Sequence, residues 1–187
     1  MPEYIVYHGT NSAFVDSIKE NGFKSSASKD DWLGFGVYFF TEGAFCPITS
    51  ARDWAICNAW NKKKKQNMYE NYTILQTMVS GDKVLDLRLE EDLKIYDTLR
   101  QKILNKFEIE KNKFKHKLTP ETFLCNSISE SLKLDIMIQN FYIKTKFQRV
   151  NYIHSNIANT TVLCAKNSAS IKLTNIKEIE KEGINDE

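Results

Sequence analysis

Two short segments near the start of the chain carry residue types that can do chemistry together: Tyr7-His8-Gly9-Thr10 and Gly34-Phe35-Gly36-Val37-Tyr38-Phe39-Phe40. The first offers an imidazole that can bond a ribose hydroxyl, a glycine bare enough for a ligand to approach its backbone, and a threonine hydroxyl. The second offers a Gly-x-Gly turn in which Gly36 leaves room beside Tyr38, whose flat ring can stack on a planar heterocycle. That set is suited to gripping a nicotinamide-ribose unit. Cleaving the bond between those two rings builds positive charge on the sugar, so a catalyst must hold both rings still while an acceptor arrives. The expected site therefore binds NAD as co-substrate.

Such a site needs elements to carry it. Tyr4 to Tyr7 reads as a strand that His8-Gly9-Thr10 ends. Asn11 or Ser12 then caps a helix through Val15 and Ile18 that stops at Asn21-Gly22. Lys24 to Asp31 is a polar loop of the kind that covers a site, and Gly34 to Phe40 supplies turn and strand. Thr49 or Ser50 is expected to cap a second helix through Trp60, with Ala51, Trp54 and Ala55 on its packing stripe, ending in the solvated run Lys62 to Lys65.

Further along, Asn71 to Val79 and Lys83 to Leu87 read as strands around a hairpin-like Ser80-Gly81-Asp82 turn. Leu93, Tyr96, Leu99, Ile103 and Phe107 predict a long helix over 89–117, and Thr119-Pro120-Glu121 starts another that reaches about Leu134. Runs at Ile136 to Ile143, Val150 to Ile153, Thr161 to Ala165 and Ile171 to Ile179 make the last third rich in strands. Strands first, helices in the middle and strands last predict a single α+β domain over 1–180, with 181–187 as a frayed tail.

The two opening motifs, in this order and spacing, resemble the diphtheria-toxin-like, PARP-type branch of the ADP-ribosyltransferases, whose catalytic triad is His-Tyr-Glu. Tyr7-His8-Gly9-Thr10 is similar to the family's His-Gly-Ser/Thr motif. Gly34 to Phe39 is similar to its G-x-G-[IV]-Y-F strand, Asn21-Gly22-Phe23 to its loop-proximal N-x-G, and Ala51-Arg52-Asp53-Trp54-Ala55 to the helix that follows. The resemblance covers the first sixty or so residues by motif and the remainder by order of elements. It implies a split β-sheet core with flanking helices. It further implies that His8 binds ribose, that Tyr38 stacks on nicotinamide, and that the Gly9 backbone holds the carboxamide. Thr10 and Gly36 complete the NAD contacts.

The third triad position departs from the pattern. No Asp or Glu lies between Asp135 and Glu178, so the late-strand glutamate has no counterpart. Thr160 or Val162 falls there according to register, and Thr160 is preferred for its hydroxyl. Glu130, Asp135 and Glu42 are the other places to look for an acid. Relatives with a neutral residue at this position resemble transferases that add one ADP-ribose unit. Small members resemble bacterial toxins of toxin-antitoxin and phage-defence settings, for which a neutralising antitoxin would be a partner. A non-catalytic nucleotide-binding module is the alternative expectation. RNA 2'-phosphotransferases share the His-Gly-Thr opening, but the Gly-x-Gly-Val-Tyr strand favours the transferase branch.

Composition narrows the remaining choices. At 187 residues with 42% hydrophobic and 27% charged, the chain has material for one core. It shows no signal-peptide pattern and no membrane-length apolar run, so a cytoplasmic location is expected. Cys46, Cys57, Cys125 and Cys164 lack metal-ligand spacing and are expected to be reduced. The formal charge is only +2, but Lys144, Lys146, Arg149, Lys166, Lys172 and Lys177 interleave with Phe141, Tyr142, Phe147 and Tyr152. That stretch is either a nucleic-acid surface, tilting the acceptor toward RNA or DNA over protein, or plain strand alternation with aromatics inside. Arg149 and His154 are candidate substrate contacts, and His116 suits a helix C-terminus.

Overall fold

The computed structural model describes residues 1–109 and 117–184. Its strands are β1 (Glu3–Asn11), β2 (Val37–Thr41), β3 (Trp60–Asn61), β4 (Gln66–Asn67), β5 (Asn71–Ser80), β6 (Val84–Asp86), β7 (Ile136–Phe141), β8 (Thr160–Ala165) and β9 (Ile171–Gly183). Its helices are α1 (Val15–Asn21), α2 (Pro47–Ala59), α3 (Glu90–Ile109), α4 (Pro120–Leu132) and α5 (Lys146–Val150). Seven strands form one mixed sheet in the order β6-β7-β8-β2-β1-β5-β9, parallel only between β6 and β7. The fold is thus α+β.

Each face of the sheet carries its own apolar cluster. On one, Phe40, Ile74, Met137 and Val162 pack with Ala51 and Ala55 of α2, Tyr96 of α3 and Ile128 of α4. On the other, Val6, Phe39, Leu75 and Leu163 pack with Val15 and Ile18 of α1 and with Phe23. Burying one such side chain completely contributes about 2 kcal/mol, so the two clusters fix which face each strand residue takes.

Local signals explain several boundaries. α1 stops at Gly22, whose φ of 83° favours glycine and whose N–H reaches the Ile18 carbonyl at 2.9 Å. Thr119 caps α4 ahead of Pro120, as expected. α2, by contrast, begins at Pro47 rather than at Thr49 or Ser50: proline lacks the N–H that a first helical turn leaves unbonded anyway. The lysine run does not simply end that helix. It forms the exposed turn of a small β3–β4 hairpin, with Trp60 opposite Asn67.

Other expectations are corrected. β5 and β6 are not a hairpin. β5 lies between β1 and β9 while β6 is the opposite edge, because Ser80-Gly81-Asp82 carries the chain across the sheet; Asp135 holds it by accepting from the Asp82 and Lys83 amides, each at 3.1 Å. Val150 to Ile153 is not a strand: α5 ends there, started by a capping box between Thr145 and Gln148. Residues 181–183 are not frayed, since β9 stays paired to β5 as far as Asn71↔Gly183. The long helix is described from Glu90 as far as Ile109. Packing by Phe107, the helix-end His116 and the tail 185–187 lie outside what is described. No helix among the described residues is long and apolar enough to cross a membrane.

Candidate functional site

β1 and β2 stay in ladder register only at Val6↔Thr41 and Tyr7↔Phe40, then diverge. The next residue, His8, fills the gap with its ring: Nδ1 lies 2.9 Å from the Tyr38 carbonyl. A carbonyl can only accept, so Nδ1 carries the proton. Burial holds the His8 pKa below the usual imidazole value of 6.5, against a smaller opposing effect of that hydrogen bond. The ring is therefore neutral at pH 7, and Nε2 is left as an acceptor. Phe23 and Phe39 meet it edge-on, with centroids 5.2 and 5.7 Å away.

Tyr38 is fixed from its far end. Its hydroxyl donates to the Gly34 carbonyl at 2.6 Å and accepts from the Leu33 amide at 2.9 Å, bracing the turn that precedes its own strand. Burial raises its pKa far above the ordinary phenol value, so it stays protonated. α4 and β8 hold the same turn: the Asn126 side chain accepts from the Phe35 amide at 2.7 Å, and the Lys166 ammonium donates to the Leu33 and Phe35 carbonyls. Gly36, at φ 153°, has no room for a side chain, because a Cβ would meet Cys164 Sγ at 2.5 Å.

His8, Gly36 and Tyr38 come together in the wall of one cavity of about 400 Å³, a size suited to a small ligand. The 24–32 loop closes part of it, contributing Lys24, Ser26, Asp30, Asp31 and Trp32. Asp31 is tied back into that loop, accepting from Ser26 Oγ at 2.7 Å and from the Ser28 amide at 2.8 Å. Trp54 of α2, Ile143 and Val162 complete the far side. Trp32 and Trp54 meet edge-to-face at 5.9 Å, so flat aromatic surfaces bound the space beside hydroxyls, carboxylates and an ammonium. The arrangement suits a ligand combining a planar ring, sugar hydroxyls and phosphate.

Other anticipated residues lie elsewhere. Gly9 and Thr10 are buried in the β1–β5 ladder, opposite Ile74 and Thr73, and do not line the cavity. The glycine is required for another reason: α2 packs so close that a Cβ would sit 2.0 Å from the Ala51 carbonyl oxygen. Thr160 is buried opposite Phe141 and is not in the wall; Val162, two residues on, is the β8 residue that is. Arg149 lies over the Trp54 ring at 5.7 Å. His154 packs against Tyr142 at 5.6 Å, away from the cavity.

Acid reaches the cavity from a place sequence reasoning passed over. Glu42, Glu130 and Asp135 do not line it, whereas Asp30 and Asp31 do. Their only sequence signal is the Ser-, Lys- and Asp-rich composition of the 24–31 loop, which points to a cover and singles out no acid. Trp54 was visible as a packing residue alone. Among the described residues, no group of His, Cys, Asp and Glu is placed to hold a metal ion, and the four cysteines are free thiols. Comparison with protein-family models and with curated proteins returns no match.

Proposed function

We propose that the protein is a mono-ADP-ribosyltransferase that cleaves NAD, releases nicotinamide and joins ADP-ribose to a macromolecular acceptor. One observation carries this reading: His8 and Tyr38, thirty residues apart, meet across a break in the β1–β2 ladder and share one cavity. The seven main strands form one continuous sheet and not a split pair, so the support for this reading is that both motifs of the resemblance reach one cavity.

In this reading Tyr38 stacks on nicotinamide, and neutral His8 accepts a hydrogen bond from a ribose hydroxyl through Nε2. The bond from nicotinamide nitrogen to ribose C1' breaks with its electron pair leaving on nicotinamide. An acceptor nucleophile bonds to C1', and its proton passes to solvent or to a wall carboxylate. Asp30 and Asp31 are the carboxylates of the cavity wall and would supply negative charge for the cationic sugar in place of the missing late-strand glutamate. Lys24 is placed to meet phosphate.

The test is transfer of label from adenine-labelled NAD to cell extract, alongside nicotinamide release. His8→Ala and Tyr38→Ala should each reduce both by at least about a hundredfold, the scale of losing a positioning or charge-stabilising group. Full activity in either variant would count against the proposal. The second reading, an NAD-binding module without catalysis, is favoured by the apolar Val162 in the wall. Calorimetric NAD binding with no nicotinamide release in extract would select it.

A further inference from the structure

We propose that the excursion between β7 and β8, residues 142–159, joins the β3–β4 lysine turn to form a docking surface for single-stranded nucleic acid. Sequence alone left two readings of this stretch, and the alternation reading requires a strand that turns its aromatics inward. Here the segment is a short helix followed by loop that keeps Ile143 buried but turns Phe147, Val150, Tyr152 and Ile157 outward. Tyr152 is 88% exposed, Ile157 80% and Phe147 68%. Tyr152 also holds a left-handed backbone, φ 57°, that a tyrosine rarely adopts.

Charge decides what such a surface fits. Residues 136–177 contain no Asp or Glu. Lys146 lies over the Trp60 ring at 5.0 Å, which sets it beside the hairpin whose turn exposes Lys62 to Lys65. Arg149 lies over Trp54 of α2. Asp53 of α2 lies in this neighbourhood too, and acts on Cys57 together with Arg149 and Lys146. The balance is strongly positive, with exposed rings among the cations: phosphates meet lysine and arginine, and unpaired bases stack on Tyr152 and Phe147. A protein partner would need a matching acidic face, whereas a nucleic acid strand brings charge and flat rings together.

The surface adjoins the cavity. Trp54 both carries Arg149 and lines the cavity, and Ile143, where the excursion starts, lines it too. A strand held on the surface therefore passes the site's mouth. The inference rests on the transferase reading only in making that strand the acceptor of ADP-ribose.

Binding of labelled single-stranded RNA and DNA of about 15 nucleotides, measured by fluorescence anisotropy without NAD, tests it. Saturable binding is expected to weaken roughly twentyfold between about 50 and 200 mM salt, as for about three neutralised phosphates. Tyr152→Ala and Phe147→Ala together should weaken it at least about tenfold, with an unchanged melting curve because both side chains are exposed. Arg149→Ala should lower the salt dependence, and His8→Ala should leave binding intact. No saturable binding, or binding equalled by polyglutamate and indifferent to Tyr152 and Phe147, would overturn the inference. Oligonucleotide binding without nicotinamide release would retain this surface and remove the transferase; label transfer to protein alone, without oligonucleotide binding, would do the reverse.

Discussion

The two sides of β1 differ sharply. Toward β5 the strand is paired at nine positions, from Glu3↔Ser80 to Asn11↔Tyr72; toward β2 it is paired at two. On the paired side the ladder runs the whole length of β1. On the open side, backbone bonding is given up, and a histidine ring, a tyrosine hydroxyl and a lysine ammonium take over the carbonyls and amides that remain. A sheet makes room for a ligand where its ladder stops, provided that side chains can satisfy the exposed backbone.

The largest effect is expected on the paired side. Gly9→Ala places a methyl 2.0 Å from the Ala51 carbonyl oxygen and 3.0 Å from Ala55 Cβ. No rotamer relieves a Cβ clash with backbone, so α2 must move away from the sheet. The cost should be about 3 kcal/mol and the melting temperature should fall by roughly 10 °C. An unchanged melting temperature would show that the glycine is there for a ligand and not for helix packing.

The next effect falls on the open side. Tyr38→Phe keeps the ring but removes the hydroxyl, leaving the Leu33 amide without its acceptor and the Gly34 carbonyl without that donor. Leu33 is buried, so a cost of about 2 kcal/mol is expected. Hydrogen exchange at the Leu33 amide should accelerate well beyond that of the β1–β5 amides. Equal exchange in wild type and variant would mean that the hydroxyl does not brace the turn.

The contrast also explains what could be read in advance. The joint place of His8, Gly36 and Tyr38 in the cavity wall was legible from motif: a polar ring in an apolar strand, and a Gly-x-Gly turn leading straight into an aromatic strand. The β1, β2, β5, β7 and β8 strands and α1 and α4 follow from alternation, capping and Pro or Gly signals. What was not legible depends on distant contacts. The β5–β6 connection reads as a hairpin locally and becomes a crossing only because Asp135, from another part of the chain, anchors it. Val162 rather than Thr160 lines the cavity because register across β8 is set by β2 and β7 pairing. Asp30 and Asp31 carry no motif at all; their place follows from how the loop folds over the opening.

A smaller effect separates the sheet's far edge from the site. Arg52 donates to both Glu180 oxygens, at 2.7 and 2.5 Å, and Tyr72 donates to Glu180 at 2.7 Å, tying α2 to the end of β9. The pair is partly exposed, so Arg52→Ala should cost about 1 kcal/mol. Arg52 holds the Glu180 carboxyl below its ordinary 4.5, so the tie is complete above that value and is lost as pH falls through the depressed one. Hydrogen exchange along 177–183 should rise in the variant while nicotinamide release is unchanged. Loss of release would mean that the edge and the site are not separable.

The subtlest test distinguishes the two sides by pH. His8 is held below the free imidazole value of 6.5 by burial, so as pH falls the unfolded chain takes up this proton before the folded one does. By linkage, its contribution is complete above 6.5, decays as pH drops from there toward the depressed folded value, and levels off below it. Protonation also ends the acceptor role of Nε2, so the proposed NAD binding should decline over the same acid limb. Melting curves across this window for wild type and His8→Gln should converge on the acid side and separate on the neutral side. Parallel curves throughout would mean that His8 is as easily protonated in the fold as out of it, and that the open side of β1 is not the sheltered acceptor site that its hydrogen bond to Tyr38 implies.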